Sequence, residues 1–394
     1  MKKVIEQIER NHEQMVHYLR NIVEHESFSA DKERLDSLAL WLADAFEELV
    51  GGKTEIIEVE KYGNHVRCEW GEGDGQILIL AHFDTVWPIG TLKEMPFLIE
   101  GGRVSGPGVF DMKGGLIQGL FALKAIREAG IQLNKKVVVL FDSDEEIGNP
   151  SSRFYIEQEA KKSDHVFVLE PGMTLEGGLK TSRKGVGIYR MEVTGIPSHS
   201  GVDPEKGVSA IDELAHQIIK LHGQTDFTTG TTINVGKISG GTATNVVAEK
   251  ASAEIDVRGK TTAELERIHN MLMELEPVKN RTKLAMSGDI NRMPLERTEQ
   301  VQEMFQTAKQ IAKEHLDVDL IEKETGGGSD GNLTAPFAPT LDGLGAVGDG
   351  AHANHEHLLL SRMNDRCALL AGLILNYAGI KEEKSILTEE SRRS

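Results

Sequence analysis

In "VVVLFDSDEEIGN", the apolar run Val137 to Phe141 is followed at once by Asp142, Asp144, Glu145 and Glu146. Carboxylates this close repel one another. Alone, the stretch reads as a solvated turn, because Asp favours turns and Gly148, Asn149 and Pro150 follow. Other apolar runs end in the same way, however. "LILAHFDTV" closes on His82 and Asp84, and "VFVLEP" closes on Glu170. "GPGVFDMKGG" sets Asp111 just before a helix pattern, and "GDGAHANHEH" puts His352 after a glycine-rich loop. Gathered at the carboxyl edge of one sheet, two imidazoles and several carboxylates suit a pair of divalent metals. Zinc is favoured because it accepts imidazole and carboxylate together, whereas magnesium prefers an all-oxygen shell. Asp84, two residues past His82, is placed to accept the other imidazole N–H and so fix the tautomer of a metal-bound His82.

The elements that must position these residues are legible in outline. Lys32 to Val50 is a predicted amphipathic helix, with Asp31 as its cap and Gly51-Gly52 as its stop. Strand patterns follow in "TEIIEVE", "HVRCEW" and "QILILAHFD", then a helix in "GGLIQGLFALKAIREAG", the strand "KVVVLF", a helix from Ser151 and the strand "HVFVLEP". This alternation indicates an α/β layer architecture. Near Gly185 the style changes to β-α-β-β-α-β, the order of a ferredoxin-like unit. Helical spacing from Glu296 to His315, an apolar strand near Leu320 and a helix from Leu360 to Tyr377 then resume the first style. The expected organisation is a catalytic domain of residues 1–184 and 292–394 with residues 185–291 inserted as a second domain, ending in a polar tail, "KEEKSILTEESRRS".

Bulk properties bound the function. A chain of 394 residues is expected to form two domains. Its formal charge of −18, from 62 acidic and 44 basic residues, argues against nucleic acid or an anionic membrane as partner. The N-terminal stretch has helical apolar spacing without a continuous apolar core, so no export signal is read and a cytoplasmic protein is expected. Cys68 and Cys367 are the sole cysteines, which leaves His and carboxylates as metal ligands.

In order along the chain, "AHFDTV", "GPGVFDMKGG", "DSDEEIG", "LEP", "IPSHSG", "TNVV", "IDVR", "GGGSDGN" and the late "GAH" resemble the di-zinc glutamate carboxypeptidase, aminoacylase and acetylornithine deacetylase family of metallopeptidases. The resemblance implies a zinc-peptidase-like α/β catalytic domain with an inserted lid that makes a homodimer. It implies two zinc ions per subunit, replaceable by cobalt or manganese: one held by His82, Asp111 and Glu170, the other by Asp111, Glu146 and His352, with a cis peptide after Asp111. Glu145 is then the general base, and Glu146 a metal ligand. His199 becomes an oxyanion stabiliser that reaches the site of the partner subunit. Arg258 and Asn245 resemble the residues that hold the substrate's carboxylate and carbonyl, Arg292 is a further candidate, and the glycine run at Gly328 lines the pocket. His355 and His357 crowd the late motif; His352 is preferred because it follows "GDGA" and precedes Glu356 by four positions, with His355 as fallback.

The expected reaction is zinc-dependent hydrolysis of an amide, releasing a C-terminal amino acid such as glutamate from a small peptide or N-acyl conjugate. The segment "PGMTLEGGLKTSRKG" departs from the glutamate carboxypeptidase pattern, which leaves an N-acyl-amino-acid deacylase of the acetylornithine deacetylase or desuccinylase kind as the alternative. A non-catalytic dimer binding metal or amino acids would have no need of Glu145. A phosphotransfer site would call for a phosphate-binding loop, which is not found.

Overall fold

The computed structural model describes residues 1–381. They form two compact units, one of Met1–Leu179, Glu303–Ile321 and the chain from Leu341 onward, the other of Lys180–Gln302 and Glu322–Thr340.

The first unit is built on a mixed six-stranded sheet whose first five strands, in spatial order, are Lys53–Ile57, His65–Trp70, Lys136–Asp142, Gln76–His82 and His165–Val168. Gln76–His82 is buried along its whole length, as a strand covered on both faces must be. It pairs in parallel with Lys136–Asp142, His82 opposite Asp142, and in parallel with His165–Val168, Leu80 opposite Val168. Three carboxyl ends therefore open at one edge. The two strands Lys53–Ile57 and His65–Trp70 join antiparallel. A second, antiparallel sheet of Gly348–Asp349, His357–Leu359, Arg103–Ser105 and Leu98–Glu100 holds both ends of the 350–356 loop.

Local chemistry explains the helices around this edge. Lys32–Val50 is capped as expected: the Asp31 side chain accepts from Arg34 N, and Gly51 stops the helix at φ 76, where a glycine carries no Cβ penalty. Gly114–Glu128 is buried over most of its surface. A Cβ on its Gly115 would lie 2.1 Å from Leu169 O, so glycine lets the helix press directly on the backbone that leads to Glu170. The helix expected from Leu360 begins at Met363, after a short turn over Leu360–Arg362. The strand expected near Leu320 is Glu322–Thr325, and Leu320 itself, just before it, is buried in the core. The polar tail falls almost entirely on residues 382–394, outside the described residues.

The second unit is ferredoxin-like. Its antiparallel strands lie in the order Thr232–Gly240, Lys250–Gly259, Gly185–Thr194 and Lys283–Arg292. Along Gly185–Thr194, Tyr189, Met191 and Val193 point into a core shared with the helices Ala210–His222 and Thr262–Met273, while Ile188, Arg190 and Glu192 face out. Ser209 and Thr261 cap the two helices. Among the described residues no helix is long and apolar enough to cross a membrane.

Candidate metal centre

The strand-end residues converge in the first unit. His82 Nε2 lies 3.4 Å from Asp111 Oδ1 and 3.8 Å from Glu170 Oε1. His352 Nε2 lies 3.2 Å from Glu146 Oε1 and 3.4 Å from Asp111 Oδ2. Asp111 thus turns one oxygen to each imidazole. The ligand atoms of His82, Asp111 and Glu170 all lie within 4.8 Å of one another, and so do those of Asp111, Glu146 and His352. Two overlapping triads of imidazole and carboxylate, joined through one aspartate, fit a pair of divalent ions.

The electrostatics agree. Burial works against charge on His82, yet hydrogen bonds to Asp111 and Asp84 overcome it and hold the imidazole well above its ordinary range. His352 is pushed up to about 10 by its bonds to Asp111 and Glu146. Burial raises Glu146. This negative field favours any cation, and metal must compete there with protons.

Backbone geometry serves the same residues. The Asp111–Met112 peptide is cis, and His352 has φ 61, a left-handed conformation uncommon for a side-chain-bearing residue. Asp84 does more than its spacing suggested. Its Oδ1 lies 3.4 Å from His82 Nδ1, its backbone oxygen 3.1 Å from the same atom, and its carboxylate accepts from Ser29 Oγ at 2.7 Å and from the backbone N–H groups of Glu145 and Glu146 at 3.2 Å each. One buried carboxylate therefore fixes both His82 and the turn bearing the two glutamates.

The acidic cluster is divided between different tasks, which explains how its charges coexist. Asp144 is fully buried and accepts from the backbone and hydroxyl groups of Ser151 and Ser152, tying down the next helix. Asp142 accepts from Asn149 Nδ2. Glu146 faces His352.

The remaining candidates belong to the second unit. His199 is exposed, its Nδ1 accepting from Gly201 N at 3.1 Å, and it bridges to Val246 beside Asn245. With Nδ1 as acceptor, the ring proton of the neutral imidazole sits on Nε2. Arg258 is engaged by Asp256 in a two-pronged pair, both contacts 2.9 Å. Arg292 is buried, and a Cβ on Gly328 would lie 3.3 Å from its Nη1, so the glycine permits their contact. Arg183, to which no motif assigns a role, is buried and donates to the carbonyls of Gly327 and Gly328. Lys113, two residues past Asp111, is also buried and donates to His25 O.

Two joined His/carboxylate triads, built from parallel strand ends, the Asp111 turn and the His352 loop, define a dinuclear metal site of the kind that hydrolases use. The chain belongs to peptidase family M20/M25/M40, whose model matches residues 78–376. It is a metallopeptidase, a hydrolase of amide bonds. It is 29% identical to carboxypeptidase G2 of Pseudomonas sp. (strain RS-16) over 310 residues, 78% of this chain and 75% of that one. Among solved structures, aminopeptidase PepT of Bacillus cereus shares the fold with a TM-score of 0.75 and 22% identity, over 94% of this chain and 99% of that one. A dinuclear metal-binding peptidase of the M20 family from Bacillus subtilis does so with a TM-score of 0.73 and 17% identity, over 94% and 99%.

Proposed function

We propose that the protein is a zinc carboxypeptidase that releases a C-terminal amino acid from a small peptide or N-acyl conjugate. The observation that carries this reading is the shared Asp111, with one oxygen toward His82 and the other toward His352. His82, Asp111 and Glu170 would hold one ion, and Asp111, Glu146 and His352 the other. When bound, the ions supply Lewis acidity to the amide carbonyl and to water. Glu145 takes the proton of the attacking water and returns it to the leaving amine. Asp84, through the N–H groups of Glu145 and Glu146, keeps the base and its neighbour in register. The likeness to carboxypeptidase G2 supports a C-terminal amino acid as the group released.

Residues 185–291 serve in this reading as a lid that pairs two subunits. Support comes from the edge strand Thr232–Gly240 and its surroundings: Ile238 is 67% exposed, and Ile211 and Ile219 on the neighbouring helix are 47% and 73% exposed. His199, with its proton on Nε2, would donate to the developing oxyanion of the partner's site. Arg258, Asn245, Arg292 and the Gly328 loop would hold the substrate, Arg258 by exchanging Asp256 for the substrate carboxylate.

Hydrolysis of a panel of peptidyl and N-acyl amino acids by zinc-loaded protein tests the reading. Release of C-terminal residues from dipeptides and from N-acyl-glutamate supports it. Turnover confined to short acyl groups would make the protein a deacylase instead.

A further inference from the structure

One fully buried carboxylate near the centre has no place in the reaction as described. Glu356 lies four residues after His352, in the loop between Gly348–Asp349 and His357–Leu359. Its Oε1 accepts from Phe110 N at 2.9 Å and Asp111 N at 3.0 Å. Its Oε2 accepts from Gly108 N at 2.9 Å and from Trp87 Nε1 at 2.7 Å. All four partners are donors, three of them backbone groups of the turn that presents Asp111. Gly108 holds that turn at φ 72, and a Cβ there would meet Thr85 Cγ2 at 2.4 Å.

We propose that Glu356 is a positioning residue that clasps the Asp111 turn to the His352 loop and thereby sets the spacing of the second metal triad. The inference rests on the assignment of Asp111 and His352 as metal ligands. The two ligands come from segments far apart in sequence, and a relative slip of either loop would open the contact between His352 Nε2 and Asp111 Oδ2. A carboxylate accepts at two oxygens, each serving two donors here. Glutamine has one oxygen, so in either orientation its NH₂ group would face two N–H donors. Aspartate keeps the charge but is one methylene too short to serve both donor pairs.

Zinc affinity measured with a competing chelator, together with the melting temperature of the metal-free protein, tests this on the full chain, Glu356→Gln and Asp111→Asn. Glu356→Gln should bind zinc roughly 10–100-fold more weakly, the usual cost of losing a group that orients a ligand. Folded Glu356→Gln protein with native zinc affinity, whatever its melting temperature, overturns the proposal, because a merely structural carboxylate would lower stability alone. Should Glu356→Gln fail to fold, Glu356→Asp carries the same expectation, and native affinity there overturns it equally. Asp111→Asn separates the two levels. If it loses zinc while the Glu356 variants keep it, the metal assignment stands and the clasp falls; if it binds zinc as the native chain does, both fall.

Discussion

Glu213 in the second unit and Glu356 in the first are both fully buried, and each accepts four hydrogen bonds. Glu213 takes them from Gln217 Nε2, Val278 N, Lys279 N and Thr282 Oγ1, joining the helix Ala210–His222 to the 278–282 turn. Glu356 takes them from the turn that carries Asp111. The local device is the same. What differs is whether the segment it secures bears a reactive side chain. A saturated buried carboxylate is therefore no mark of function by itself, because four donors stabilise it wherever they are found.

The units also treat their candidate site residues differently. In the first, His82 and Asp84 are almost inaccessible and their neighbours are fixed by backbone bonds. In the second, His199 and Asn245 are exposed on loops while Arg292 is buried, and in the first His352 is the half-exposed member. Substitutions in the first unit should act on metal and chemistry, and those in the second on stability, assembly and substrate.

The largest effect is expected at the paired glutamates. Glu145→Gln should reduce kcat by about 10²–10⁴-fold with zinc content unchanged, since the amide keeps the shape but cannot accept a proton. Glu146→Gln should instead lose zinc from one site. Metal analysis beside turnover decides the matter, and the opposite pattern would mean that their roles are exchanged.

His199→Ala should lower kcat by roughly 10²–10³-fold as an oxyanion donor is lost. Mixing it with Glu145→Gln under subunit exchange produces heterodimers with one doubly faulty and one intact site. Random exchange should restore about a quarter of native activity. No recovery despite demonstrated exchange would place His199 outside the partner's site.

Glu213→Gln is the contrast to Glu356→Gln. It should destabilise the fold by about 1–3 kcal/mol at neutral pH and leave zinc affinity untouched. Burial opposes the Glu213 charge, but the bonds from Gln217, Val278, Lys279 and Thr282 win and hold its pKa below the usual value. A depressed carboxylate contributes stability above its unfolded pKa of about 4.3 and loses it as pH falls through the lower folded value. Thermal melts should therefore show the native and Glu213→Gln curves converging below about pH 4. A gap that widens on acidification, or a loss of zinc, would break the comparison.

The smallest stability effect is expected at Arg258. Its pair with Asp256 is partly exposed, so Arg258→Lys should change stability by less than about 1 kcal/mol while raising KM through the lost two-pronged contact. An unchanged KM would remove Arg258 from the substrate site.

Sequence by itself determined the elements and which of them end in reactive side chains. The Asp31 cap, the Gly51 stop, the strand before His82 and the βαββαβ order all depend on neighbours within a few residues, where backbone and side-chain preferences act directly. The strand read near Leu320 lies just beyond it, at Glu322–Thr325, because burial and strand pairing leave the same trace in composition. Only the tertiary structure decided that Asp111 divides its oxygens between His82 and His352, and that Glu356 grips the turn at Asp111. Such choices are made by directional bonds a few ångströms long between segments up to about 250 residues apart, and no local propensity carries that information.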